Sequence, residues 1–313
     1  MLAPVEGEGG DQPRRRVLGQ LGEYVAMIVR PLNLRPRSAT LLSEDATRVE
    51  VRVSTDTTHI VVALSPENDM AAELYLLRVL SGRHLPIPRL IAADLSCALL
   101  PFPYIIHGHV AGSPLSTIED TALVRVAARQ IGRAMRHAHQ VNAPGFGRPT
   151  PAGRWTTRAW NGVLSDWLGR RGVRSQAGEV LGEALASAFW AATVEHAALE
   201  CAEPCVIHGA IAPAHALVTV SSAAHVEALI RPGEIVGGDP LFDLALATLP
   251  RYPAAFQQGI YEGYSAAGPL GKHQHVSLQR MRLLLHAADT LSNGDAIALA
   301  RLPEIVIDAL GQL

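Results

Sequence analysis

CVIHGAIAPAHALV, residues 205–218, reads as an apolar strand, a His-Gly pair, a short proline-containing turn and a second apolar strand. The only polar side chains in the turn are His208 and His215. Ala210 follows the His-Gly pair directly, and its methyl can neither accept a proton nor hold an ion. A further strand candidate, HVEALIRP, residues 225–232, comes soon after, and LIRPGEIVGGDPLFDLA then leads into a helix.

Outward from this stretch the chain divides by pattern. TRVEVRVST, residues 47–55, alternates apolar and polar side chains as a half-buried strand does. THIVVALS, residues 58–65, is β-branched and apolar and predicts a more buried strand. Ser65, Pro66 and Glu67 offer a helix start, with Met70, Leu74, Leu77 and Leu80 on one face. PYIIHGHVAG gives another strand ending near Gly112. From about Ile118 helical spacing takes over: Leu123, Ala127, Ile131, Ala134, Met135 and Ala138 share a face. Residues 155–199 read as further helix broken near Gly172, and the chain beyond residue 232 reads as mostly helical.

The 313 residues are 48% hydrophobic and 18% charged, with a formal net charge of −2. That suffices for a sizeable core and gives no electrostatic case for nucleic acid. Three cysteines, Cys97, Cys201 and Cys205, are an odd and sparse set, which fits a reducing compartment better than a disulfide framework. The start, MLAPVEGEGGDQPRRR, is polar and rich in Gly and Pro, with no secretory apolar run. No apolar run is long enough to span a bilayer. A cytoplasmic protein is expected, and the alanine- and arginine-rich composition is compatible with a GC-rich bacterium.

Several landmarks fall in one order: PYIIHGHVAGSPL, AHQVNAPGFG, CVIHGAIAPAHALV, LIRPGEIVGGDPLFDLA and FQQGIYEGYSAAG. Together, over about residues 40–290, they resemble the aminoglycoside phosphotransferase family, a branch of the protein-kinase-like fold. The resemblance implies an α+β, two-lobed fold. Residues 1–20 would be a flexible tail, 21–110 a small sheet-plus-helix lobe and 111–313 a mainly helical lobe, with a cleft between the lobes.

The resemblance also places departures. The family's carboxylate after His-Gly orients or deprotonates the acceptor hydroxyl; here that position is Ala210. The family's magnesium-holding asparagine and aspartate correspond to His215 and Arg231, a poor magnesium ligand and a permanent cation. The third-strand Lys or Arg corresponds to about Ala63, and the phosphate-covering loop near residues 43–46 lacks glycine. Glu73, on the helix that supplies that cation's partner, is retained. These replacements argue against magnesium-ATP chemistry, so no cofactor is expected.

Candidate site residues follow. His208 is expected to hold backbone. His215 is a packing residue or, facing the cleft, an acid/base with a pKa near neutrality. Arg231 binds a carboxylate or phosphate, or forms an internal ion pair with Glu234 or Glu73. His107 and His109 sit two apart on a strand and line the hinge side; a metal there lacks a third ligand. Asp239 and Asp243 cap a helix and anchor the loop. The arginine runs PRRR and GRRGVR read as solvated. The expected function is that of a degenerate phosphotransferase homologue, a pseudokinase. It would bind a small molecule or a partner protein, with no nucleic acid and no membrane. The alternative is a repurposed biosynthetic enzyme performing cyclisation, elimination or isomerisation with His215 and Arg231, and an active small-molecule kinase comes after that.

Overall fold

The computed structural model describes residues 19–45, 48–65 and 70–313. The polar start with its PRRR run, as far as residue 18, and the Pro66–Glu67 part of the helix-start signal lie outside the described residues. The chain forms two compact units. One holds the residues up to Val110 together with Thr150–Arg154, and the other holds Ala111–Pro149 and Trp155–Leu313.

The first unit is built on a five-stranded antiparallel sheet: β1 (Pro36–Glu44), β2 (Val49–Thr55), β3 (His59–Leu64), β4 (Leu90–Asp94) and β5 (Tyr104–Gly108), in the order β1-β2-β3-β5-β4. Val49, Val51 and Val53 are fully buried on one face, as the alternation in β2 requires. Each fully buried valine of this kind stabilises by about 1.5–3 kcal/mol relative to exposure. That face, with Ile60, Val62, Leu64 and Ile106, packs under helix α1 (Leu21–Val29) through Tyr24, Val25, Ile28 and Val29. The opposite face presents Ala63 and Ile105 to helix α2 (Ala71–Leu80) through Leu74 and Leu77. β3 is therefore buried on both sides, which its near-continuous apolar run predicts.

In the second unit α3 (Thr121–Ala138) begins at Asp120, whose carboxylate accepts from the N–H groups of Ala122 and Leu123. Short strands follow: β6 (Ser113–Pro114), β7 (Phe146–Pro149), β8 (Trp155–Thr157), β9 (Cys205–Val206), β10 (Ala216–Val220), β11 (Ala224–Leu229) and β12 (Gly237–Gly238). They form two small sheets, β11-β10-β6 and β8-β7-β12-β9. The helices are α4 (Trp160–Arg170), α5 (Val173–Leu181), α6 (Glu183–Ala192), α7 (Pro240–Ala247), α8 (Ala254–Ser265), α9 (Lys272–Asn293) and α10 (Ala296–Leu310).

α3 and α8 touch backbone to backbone. A Cβ at Gly263 would collide with the carbonyl of Arg129, and one at Gly132 with the carbonyl of Ile260. Arg125 and Arg129 of α3 both pair with Glu262 of α8 beside this crossing.

The structure departs from the sequence reading at several elements, helix α1 (Leu21–Val29) among them. Residues 155–157 form β8 rather than the start of a helix. The Trp155 side chain sits against Gly145, whose added Cβ would lie 2.7 Å from Trp155 Cβ, and extended backbone allows that contact. β1 and β4 are additional strands. PYIIHGHVAG stays a strand only to Gly108.

Candidate functional site

The turn after β9 is fixed from three sides. Ile207 N–H donates to the Val236 carbonyl at 3.1 Å, Gly233 N–H to the His208 carbonyl at 2.9 Å and Ile230 N–H to the His215 carbonyl at 2.9 Å. These bonds tie residues 207–215 to residues 230–236. Gly209 adopts φ +74, and a Cβ there would strike the Ile235 carbonyl, so only glycine fits. From beneath, the Asp243 carboxylate of α7 accepts the backbone N–H of His208 and of Gly209, each at 2.7 Å.

Asp243 is itself held by His139, whose Nε2 lies 3.2 Å from Oδ2, while His139 Nδ1 lies 3.0 Å from the Tyr264 hydroxyl. Burial pushes the Asp243 carboxyl up. The hydrogen bond and charge of His139, with the His208 N–H, outweigh it and hold the group below the ordinary carboxylate value. Asp239 caps α7 by accepting from Leu241 N–H at 2.8 Å, and burial pushes its carboxyl up. One carboxylate thus anchors the loop and the other caps the helix. His139 was missed by sequence reasoning, although its place at the end of α3 beside a Gly-Phe-Gly turn was a usable signal.

Above the turn lies a cavity of about 180 Å3. It brings together Ala210, His215 and Glu234 of the predicted residues. His215 Nδ1 lies 2.7 Å from the Ala210 carbonyl. A carbonyl only accepts, so Nδ1 carries the proton and Nε2 is the basic nitrogen of the neutral ring. The Glu234 carboxylate takes a 2.9 Å bond from Arg170 and lies 4.0 Å from Arg171. The rest of the wall was not singled out in the sequence: Trp167, Arg171, Arg251, Tyr252 and Asp289. GRRGVR was read as solvated, yet the Arg171 guanidinium lies over the Trp167 ring at 4.4 Å from its centroid and faces the cavity. His208 is buried within the turn and is not part of this wall. Arg231 also lies off the wall, half-buried, with φ +53, a left-handed backbone that is strained for a residue with a side chain.

The other predicted residues belong to the first unit. Ala63 is fully buried opposite Glu50 and Ile105, inside the apolar cluster under α2. Glu73 nevertheless has a cation: Arg48, just before β2, grips both of its oxygens, one at 2.8 Å, and also reaches Glu50 at 2.8 Å. Burial alone would lower the Arg48 pKa, but the Glu73 and Glu50 carboxylates raise it above its ordinary value. His107 is buried on β5 with Nδ1 3.0 Å from the Gly108 carbonyl. His109 lies just past the strand, its ring 6.1 Å from that of His59. Burial, then the charges of Arg52, His59 and His107, push its pKa down.

Among the described residues no group of three or more His, Cys, Asp or Glu side chains is placed to hold a metal ion. At the positions that resemble the family's magnesium donors, His215 commits Nδ1 to a carbonyl and Arg231 is a cation. This donor set does not fit magnesium. Burial pushes the Cys201 thiol up to about 12 and the Cys205 thiol higher, so neither is a poised nucleophile. No helix among the described residues is long and apolar enough to cross a membrane.

An antiparallel sheet flanked by helices, followed by a helical unit carrying a His-Gly loop anchored by an aspartate, defines the protein-kinase-like fold. The phosphotransferase enzyme family model matches residues 38–283, and the chain belongs to that family. Among solved structures, the chain is similar to a thermostable mutant of aminoglycoside phosphotransferase APH(4)-Ia in ternary complex with AMP-PNP and hygromycin B. The two are 16% identical over 93% of this chain and 98% of that one, with a TM-score of 0.64. It is also similar to the GDP complex of an aminoglycoside 2′-phosphotransferase-IIIa mutant, at 18% identity, 93% and 97% coverage and a TM-score of 0.62. Macrolide 2′-phosphotransferase MphH from Brachybacterium faecium is 19% identical, with 93% and 99% coverage and a TM-score of 0.57. At these identities the likeness shows the fold alone. No curated protein matches the sequence.

Proposed function

We propose that this chain is a catalytically degenerate member of its family, a pseudokinase, that binds a small molecule in the cavity above Ala210 without magnesium-ATP phosphoryl transfer. One observation carries the reading. Where the family resemblance places the acid that handles the acceptor hydroxyl, a methyl group faces the cavity, and the adjacent His215 spends Nδ1 on that residue's own carbonyl. Losing a general base costs about 10²–10⁴ in rate. The donor set beside it does not suit magnesium, which removes the charge stabilisation that phosphoryl transfer relies on. Among the described residues the cavity is concave and lined by apolar, aromatic and a few charged groups, as small-molecule sites are.

A ligand specific for the folded state raises the melting temperature by mass action. Millimolar ATP with magnesium is therefore expected to leave the melting temperature where ATP or magnesium alone leaves it. A magnesium-dependent rise, with phosphate released or transferred, would restore the kinase reading.

The His215 geometry favours a second reading. A histidine whose tautomer is fixed by a backbone carbonyl, on the wall of a cavity, is arranged as an acid/base group. In a repurposed enzyme, His215→Ala removes turnover and keeps ligand binding. In a binding protein the same change alters affinity alone.

A further inference from the structure

The charges around the cavity are unequally served. Among the described residues, the wall carries two guanidinium groups (Arg171, Arg251) and two carboxylates (Glu234, Asp289), and Arg170, off the wall, also draws on Glu234. Arg251 is well supplied: it pairs with Asp289, donates to the Tyr252 hydroxyl at 2.8 Å and lies over the Tyr252 ring. Arg170 takes the short bond to Glu234 at 2.9 Å. Arg171 is left with the far side of the same carboxylate, 4.0 Å away, at the limit of an ion pair. Yet Arg171 is the guanidinium laid on the Trp167 face and turned to the cavity. Partial desolvation lowers its pKa, Glu234 and Asp289 offset that in part, and the side chain stays 45% exposed. A guanidinium held on a ring face, open to solvent and with only a distant counter-charge, is a binding group for a carboxylate or phosphate.

The rest of the wall constrains the body of the ligand. Trp167 and Tyr252 supply ring faces, and Leu246, Leu249 and Leu285 supply apolar surface. The volume is about 180 Å3, while an apolar cavity of about 150 Å3 holds benzene. A polycationic ligand would find the wall's two carboxylates already paired with arginines and would set its ammonium groups beside Arg171 and Arg251, and such juxtaposition of like charges works against a partner.

The geometry points to a small ligand with one flat apolar body and one anionic group, seated against Trp167 with the anion at Arg171. This rests on the reading of the cavity as a small-molecule site. The anion is a carboxylate or a phosphate; both satisfy the same fork.

The test is calorimetric titration of the full chain with three probes of one body and different heads: benzoate, phenyl phosphate and benzylamine. At least one anion is expected to bind about tenfold or more tighter than benzylamine. Preference for phenyl phosphate assigns a phosphate head, and preference for benzoate assigns a carboxylate. Arg171→Met is expected to weaken the preferred anion about tenfold, with Arg171→Lys between the two. The inference is overturned if benzylamine binds as tightly as both anions. It is equally overturned if neither anion binds at about 10 mM, or if folded Arg171→Met binds the anion as the parent does. Should Arg171→Met not fold, the parent's ranking of the three probes decides. Magnesium-dependent uptake of ATP in the same instrument would sink the pseudokinase reading and leave the ligand class standing. A preference for benzylamine does the reverse.

Discussion

Arg48 and Glu73 show how a buried carboxylate on a helix is matched by a cation from outside that helix. Ala63 occupies the third-strand place and fills apolar space, so a charged side chain there would have to leave the core. The Glu73 carboxylate, only 9% exposed, takes its cation from just before β2, where Arg48 is 14% exposed. Breaking a buried pair from one side leaves an uncompensated charge, which costs about 3–5 kcal/mol. Arg48→Met is expected to lower stability by about that amount in urea unfolding, and Arg48→Met with Glu73→Leu to recover most of it. If the single variant unfolds like the parent, the pair holds nothing together. This partnership was not legible in the sequence, because Arg48, just before β2, and Glu73, on α2, are brought together by tertiary packing rather than by spacing along one strand or helix. Ala210 and His215 were legible, because both lie within one short motif whose ends are set by apolar strands. Arg171 was misread for the opposite reason. Its run looks solvated until the end of α4 brings it onto Trp167.

At the level of elements, the strands with period-two burial and the helices with a wide apolar stripe were readable from residue order. β2 and α3 are the clearest cases. β1 was not, because its residues are almost all exposed and present no alternation to find. β4 is short and follows a proline-rich stretch. The contact of α3 with α8 was hidden as well, since a glycine in a helix looks like a weakness until a second backbone is placed against it. Gly263→Val is expected to push the two helices apart and destabilise the fold by about 1–3 kcal/mol, read as a lower urea midpoint. A control with open space, Gly178→Ala in α5, has nothing within 4 Å of the added Cβ and is expected to be neutral or slightly stabilising. Equal effects at both sites would show that the backbone contact is unimportant.

For the whole molecule, the family frame is intact, and the proposal of altered chemistry rests on the few side chains set on it. The family model covers residues 38–283 without the loss of any of the ordered landmarks. Fold and family membership were therefore readable from five short motifs, whereas the ligand class needed side chains brought in from α4, α7–α8 and α9. Restoring oxygen donors should restore metal binding only as a set. Ala210→Asp alone is expected to give no magnesium uptake by calorimetry, because the Arg231 cation and the His215 ring remain. The triple change Ala210→Asp, His215→Asn and Arg231→Asp is expected to take up magnesium measurably. Uptake by the unaltered chain would contradict both the placement of these positions and the pseudokinase proposal.

The turn at residues 207–215 owes its shape to main-chain bonds, one obligatory glycine and the carboxylate of Asp243 below it. None of those supports is the side chain of Ala210, and His215 adds one bond of its own across the turn, between Nδ1 and the Ala210 carbonyl. Position 210 is therefore decoupled from the architecture that displays it: evolution, or a protein engineer, can exchange what stands there while the pedestal keeps its form, whereas a change at 215 also gives up one bond across the turn. A lineage built this way sheds one activity and acquires another without first having to survive a collapse of the fold.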